Sequence, residues 1–254
     1  MPLKHSLLTL ALLSAPLVFA ADTDNTSSAP PKTEPWKTSV ELGFLMDSGN
    51  TNSTNFNTKI NATQDLLHWR NNYSLASQYT RSDDQKTAEN YNGSIEGNYK
   101  FNDSEFWYIR GDYKKDLFSG YDFQSNVATG YGDRFWQTQD GSYLEASAGV
   151  GYRYNKLAEG ATTTDIGAAQ TPIIRFALTG QKQLSASAVF IQTLDSSIGT
   201  KDGSSISKSV SSLQANIRND LAMKLSYSAE YSSTVPTGKE HTDTETSVTL
   251  LYSF

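Results

Sequence analysis

Three histidines (His5, His68 and His241) and no cysteine narrow the chemistry open to this 254-residue chain. Without a thiol there is no disulfide, thiolate metal site, cysteine nucleophile or thiol redox couple. His241 stands two residues before Asp243 in a Ser-rich stretch. It is the one place where a serine, a histidine and a polar orienter could meet for acyl transfer on a lipid surface. A solvated loop histidine is the simpler reading, and His68 falls in a tight turn. Asp47, Asp83, Asp84, Asp116, Asp122, Asp195 and Asp202 are scattered, with no calcium-loop spacing. They suit a saccharide surface where divalent cations bridge carboxylates to lipid phosphates. No catalytic residue, no metal site and no cofactor is expected.

Other charged residues alternate with apolar ones. Lys59, Glu96, Arg110, Asp112, Glu145 and Arg153 each stand between two residues of the opposite character or of small size. Alternation of period two marks a strand with two different faces. It recurs along the chain, as in Val40-x-Leu42-x-Phe44, Phe56-x-Thr58-x-Ile60 and Leu144-x-Ala146-x-Ala148-x-Val150. Twelve such runs follow between Trp36 and Phe254. Each approaches the roughly 9–11 residues a tilted strand needs to cross a bilayer. The apolar set then faces lipid and the six charged residues line an enclosed lumen. There they are either salt-bridged filling or the lining of a narrow hydrated path.

Connections alternate in length. Those at Asp65–His68, Asn102–Ser104, Gln181–Gln183 and Asn219-Asp220 read as tight, whereas Lys156–Thr171, Asp195–Ser205 and Ser232–Thr242 read as long polar loops. Short turns on one side and long loops on the other fit a bacterial outer-membrane barrel. Aromatic girdles should mark its rims: Trp69, Phe101, Phe106, Phe135, Trp136 and Tyr143 on the turn side, Tyr79, Tyr91, Tyr121, Tyr152, Tyr154 and Tyr231 on the other. The last strand, Val248-x-Leu250-x-Tyr252-x-Phe254, ends on an aromatic and resembles the assembly signal of such barrels.

The whole-chain balance agrees. Lys and Arg number 21 against 27 Asp and Glu, a net charge of −6, which excludes a phosphate-binding basic face. Mean hydropathy is −0.50, and no run of about 20 apolar residues offers a spanning helix. Residues 1–20 carry Lys4, the apolar run Leu7 to Phe19 and small residues up to Ala20, as a secretory signal cleaved after Ala20 would. Residues 21–35 hold three prolines and almost no apolar mass, and are expected to be a disordered lead.

Asp47-Ser48-Gly49-Asn50-Thr51, Trp69-Arg70-Asn71, Ala88-Glu89-Asn90-Tyr91, the run Asp116 to Gln124 (DLFSGYDFQ), Gly130-Tyr131-Gly132 and Gly151-Tyr152-Arg153 together resemble a family. It is the salt-induced outer-membrane proteins of Gram-negative bacteria, largely of unknown function. The resemblance covers most of the chain from Trp36 and implies an outer-membrane location with expression linked to salt or osmotic stress. It brings no catalytic residues. Gly49, Gly120, Gly130 and Gly132 suit turns or close backbone approach.

The expectation is therefore an all-β, closed, up-and-down antiparallel transmembrane barrel of about 12 strands over residues 36–254. It would be non-enzymatic, either a narrow pore for small solutes or a structural envelope protein. Its partners would be outer-membrane lipid, lipopolysaccharide and the barrel-assembly machinery, with no nucleic acid; the oligomeric state stays open. A barrel-embedded lipid-modifying enzyme and a soluble periplasmic β-protein are the rival readings.

Overall fold

The computed structural model describes residues 35–47, 53–83, 85–159, 170–236 and 238–254. The expected signal with its Ala20 cleavage site, the lead as far as residue 34, residues 48–52 with Gly49, and Asp84 lie outside the described residues. Twelve strands follow in order: β1 (Trp36–Asp47), β2 (Ser53–Asp65), β3 (Trp69–Ser82), β4 (Gln85–Lys100), β5 (Glu105–Asp116), β6 (Tyr121–Gln137), β7 (Tyr143–Leu157), β8 (Gln170–Ser185), β9 (Ala188–Gly199), β10 (Ser205–Arg218), β11 (Leu221–Ser232) and β12 (Thr242–Ser253). Each pairs antiparallel with the next, and β1 pairs with β12, so the sheet closes on itself. At that seam the Thr38 N–H donates to the Phe254 carbonyl (3.0 Å) and the Phe254 N–H donates back to the Thr38 carbonyl (2.9 Å). Closure removes the free edges that hydrocarbon would leave unsatisfied.

The two faces divide as the alternation demands. Leu42, Ile60, Leu75, Ile95, Ile109, Val127, Val150, Leu225 and Val248 all point outward and are exposed, Val150 by 62%. A soluble protein rarely shows so large a contiguous apolar surface, whereas a barrel in lipid requires it. Aromatics cluster at both rims. Trp69 meets Tyr99 edge-on at 5.3 Å at the end of the barrel that holds Trp36 and Phe254, and Phe123 lies between Tyr113 and Tyr154, each at 5.6 Å, near the opposite end.

Three aromatics expected in the girdles turn inward. Phe106 follows the parity of its strand, since Trp107 takes the outer face, and is buried. Tyr143 lines the interior. Tyr121 is buried because a bulge between Tyr121 and Phe123 shifts the register, so only Phe123 joins the outer cluster.

Strands run 12 to 17 residues, longer than bilayer crossing needs, and the connections shrink to match. The β3–β4 connection is residues 83–84 and the β9–β10 connection residues 200–204, so the expected loop at Asp195–Ser205 is half strand. The turn expected at Gln181–Gln183 sits instead at residues 186–187, with Gln181 paired to Ile191 and Gln183 to Val189. Polar side chains there belong to a strand that has left the hydrocarbon, where backbone pairing continues but apolar side chains are no longer required. Between β6 and β7 the turn is held by Asp140. Its carboxylate accepts from the Thr138 hydroxyl and from the Ser142 N–H (2.9 Å), which pushes its pKa down to about 2.

Candidate functional site in the barrel lumen

Inward-facing residues enclose two joined spaces. A chamber of about 1010 Å³ runs from Lys37 and Asp65, at the end of the barrel that holds Trp36 and Phe254, as far as Glu230 and Glu245, and a vestibule of about 490 Å³ lies toward the longer loops. Among the residues lining both are Asn90, Asn92, Lys114, Lys208, Glu230 and Glu245. The β11–β12 connection folds over the vestibule with Val235, Pro236 and Lys239. Pro236 packs on Gly120, whose φ of +83° and lack of Cβ both matter there: an added Cβ would stand 3.0 Å from the proline Cγ.

At the junction, Lys114 of β5 reaches Glu230 of β11 at 2.7 Å, and Lys208 of β10 reaches the other oxygen of the same carboxylate at 3.3 Å. In a ring of twelve, β5 and β11 are six places apart. This bridge therefore crosses the lumen from wall to opposite wall.

Toward the Trp36 and Phe254 end, charges are matched strand by strand. Arg110 binds Asp112 (2.6 Å) and Glu96 (3.1 Å). Glu145 receives both Arg70 (3.1 Å) and Arg134 (2.8 Å). Arg175 pairs with Asp195, and Lys224 spans both oxygens of Glu41 at 3.0 and 3.2 Å. Guanidiniums also cap rings: Arg70 over Phe106 (5.0 Å), Arg175 over Tyr108 (5.2 Å) and Arg134 over Tyr143 (4.2 Å). Such cation–π contacts keep a charge favourable where water is scarce.

The glycines of β6 and β7 make room for this cluster. A Cβ on Gly132 would come within 2.2 Å of the Phe106 ring, and one on Gly149 within 2.4 Å of the Tyr108 hydroxyl. Gly130 and Gly132 lie within a strand rather than in a turn, so close approach is the reason for both.

Of the six charged residues singled out from sequence, Glu96, Arg110 and Asp112 form one cluster and Glu145 anchors another. Lys59 lines the chamber without a hydrogen bond or ion pair among the described residues. Arg153 lies in the vestibule wall, 2% exposed, donating to Ser204 Oγ (3.1 Å), the Ser197 carbonyl (2.9 Å) and Ser197 Oγ (2.5 Å). It fastens the β9–β10 connection to β7. Asp195, expected in a polar loop at the saccharide surface, lies instead in β9 and faces the lumen, because β9 continues to Gly199. Glu41, Arg70, Arg175 and Lys208 are further lumen charges that the sequence reading does not single out. Their signal was parity: Glu41 lies between Val40 and Leu42, and Arg175 between Ile174 and Phe176. His241 Nδ1 donates to the Ser232 carbonyl at 2.7 Å and its ring stacks on Tyr231, a loop-stapling arrangement.

Residues 40–254 match the family described as "Protein of unknown function, DUF481". No curated protein matches the sequence. Among solved structures, the chain is similar to the NanC porin, with TM-score 0.51, 13% identity, and coverage of 85% of this chain and 98% of that one. It is also similar to an outer-membrane channel from Pseudomonas putida F1, with TM-score 0.51, 7% identity, and coverage of 92% and 100%. At such identities the likeness concerns the fold: a closed barrel of the outer-membrane type.

Proposed function

This chain belongs to that family, and we propose that it is a non-enzymatic outer-membrane pore for small solutes. The observation that carries the reading is the pair of polar spaces running within the barrel and meeting at the Lys114–Glu230–Lys208 bridge. A barrel needed only as a structural element would be better filled by packed apolar side chains, since ionic groups taken out of water cost more than they return. A lumen with space for water solvates them instead. The barrel likeness to a porin and to a channel supports the same reading.

The bridge makes the path narrow: ions and small polar molecules pass, large ones do not. In this reading lipopolysaccharide and outer-membrane lipid surround the apolar band. The barrel-assembly machinery engages the strand carrying Val248, Leu250, Tyr252 and Phe254, all of which face outward. The family resemblance adds expression tied to salt or osmotic stress, which transcript levels across an osmolarity series would test.

The pore is tested by planar-bilayer recording of detergent-extracted protein whose folded state is verified by different migration of boiled and unboiled samples. Discrete conductance steps are expected. Electrical silence of folded barrel would leave the structural role in its place.

A further inference from the structure

Lys59 is the seventh of the thirteen residues of β2, midway through the wall, and its side chain lines the chamber. Its register partner on β1 is Glu41, also inward-facing. In an isolated pair of strands these two would neutralise each other across the ladder. Here Glu41 is already engaged: Lys224 spans both of its oxygens, and Asn61 (3.3 Å) and Thr249 (3.5 Å) donate to them. Lys59 is left with neighbouring lysines Lys224 and Lys208 and an occupied carboxylate as its electrostatic surroundings.

Among the described residues, the other basic side chains lining the chamber each lie within 3.3 Å of a carboxylate, apart from Lys37, which is exposed at the end of the barrel as the second residue of β1. The carboxylate without such a partner, Glu245, is the fourth residue of β12, lines both spaces and accepts from Asn57 (3.1 Å). The Glu245 carboxylate is taken by Asn57, two residues from Lys59 on β2, and is not among the charges that act on Lys59, which stands at mid-wall with no partner of its own among the described residues. An ammonium enclosed at that depth without a fixed counter-charge must be compensated by mobile ions of opposite sign.

We infer that Lys59 is the selectivity-determining residue of the lumen and holds small monovalent anions, so that the pore prefers anions over cations. This rests on the pore reading given above. The probe is chloride against potassium: reversal potentials in a KCl gradient across a planar bilayer, with folding of each variant verified by heat-modifiable migration. Wild type is expected to reverse on the anion-selective side. Lys59→Gln should lose that preference, and Lys59→Glu should move the reversal potential to the cation side. Glu41→Gln, which frees Lys224, should strengthen the anion preference, and Lys182→Gln, on the outer face, should change nothing. A conducting wild type whose reversal potential is unmoved by Lys59→Gln or lies on the cation side overturns the assignment of Lys59 and leaves the pore standing. Silence of folded wild type overturns both.

Discussion

Lys114 and Glu230 meet at 2.7 Å although their strands, β5 and β11, stand half a circumference apart. A barrel of twelve strands has room for a lumen, and this contact ties it across its own bore. Lys208 on the second oxygen fixes the carboxylate from a third direction.

Removing the tie should open the bore. Glu230→Gln and Lys114→Met are each expected to raise single-channel conductance in planar bilayers. The two side chains are 27% and 19% exposed, to a lumen with space for water, and the fold is held by the closed ladder of backbone hydrogen bonds, so the barrel should stay folded. Unchanged conductance in both variants would locate the narrowest point elsewhere.

The glycine floor under Phe106 and Tyr108 yields a paired prediction. Gly132→Ala should destabilise the barrel by about 1–3 kcal/mol through overpacking, because the new methyl meets a buried ring. It would be read as a lower temperature of conversion from the compact to the unfolded gel band. Phe106→Ala combined with Gly132→Ala should recover part of that loss; a purely additive double variant would contradict the contact.

Much of this was legible in the chain and some was not. Period-two alternation placed Val150 outside and Glu145 inside from residue order alone, because a strand in a closed sheet offers only two directions. Parity does not reveal which charges meet. Glu96 with Arg110 could be guessed from adjacent strands, but Lys114 with Glu230 required the ring to close and contract. Bulges also escaped, as at Tyr121, where one extra residue exchanges the faces. Turn positions were misjudged at Gln181–Gln183 because polar residues outside the hydrocarbon look alike whether their backbone is paired or not.

The turn at Asp140 should show itself in acid. Its folded pKa, about 2, lies below the ordinary aspartate value of about 3.9. The stabilisation is therefore complete above the unfolded value and is lost as pH falls through the folded one, between about 4 and 2. Carboxyl chemical shifts of the detergent-solubilised barrel should give a midpoint near 2 for Asp140. Thr138→Val, which removes the hydroxyl donor, should raise it; an unmoved midpoint would mean the hydroxyl is not the cause.

Closure at β1 and β12 can be trapped covalently. Ser39 and Ser253 are register partners at the seam, and opposed strand positions bring Cα atoms within disulfide range. The double variant Ser39→Cys, Ser253→Cys should oxidise readily within one chain and migrate as a compact species after boiling until reduced. Failure to cross-link in folded protein would argue against the seam register.

Because Phe106 rests where Gly132 lacks a side chain, the two positions cannot drift independently over evolutionary time. Homologous chains should trade bulk between them, a smaller residue on one strand accompanying a larger one opposite. That covariation would be visible without purifying any protein.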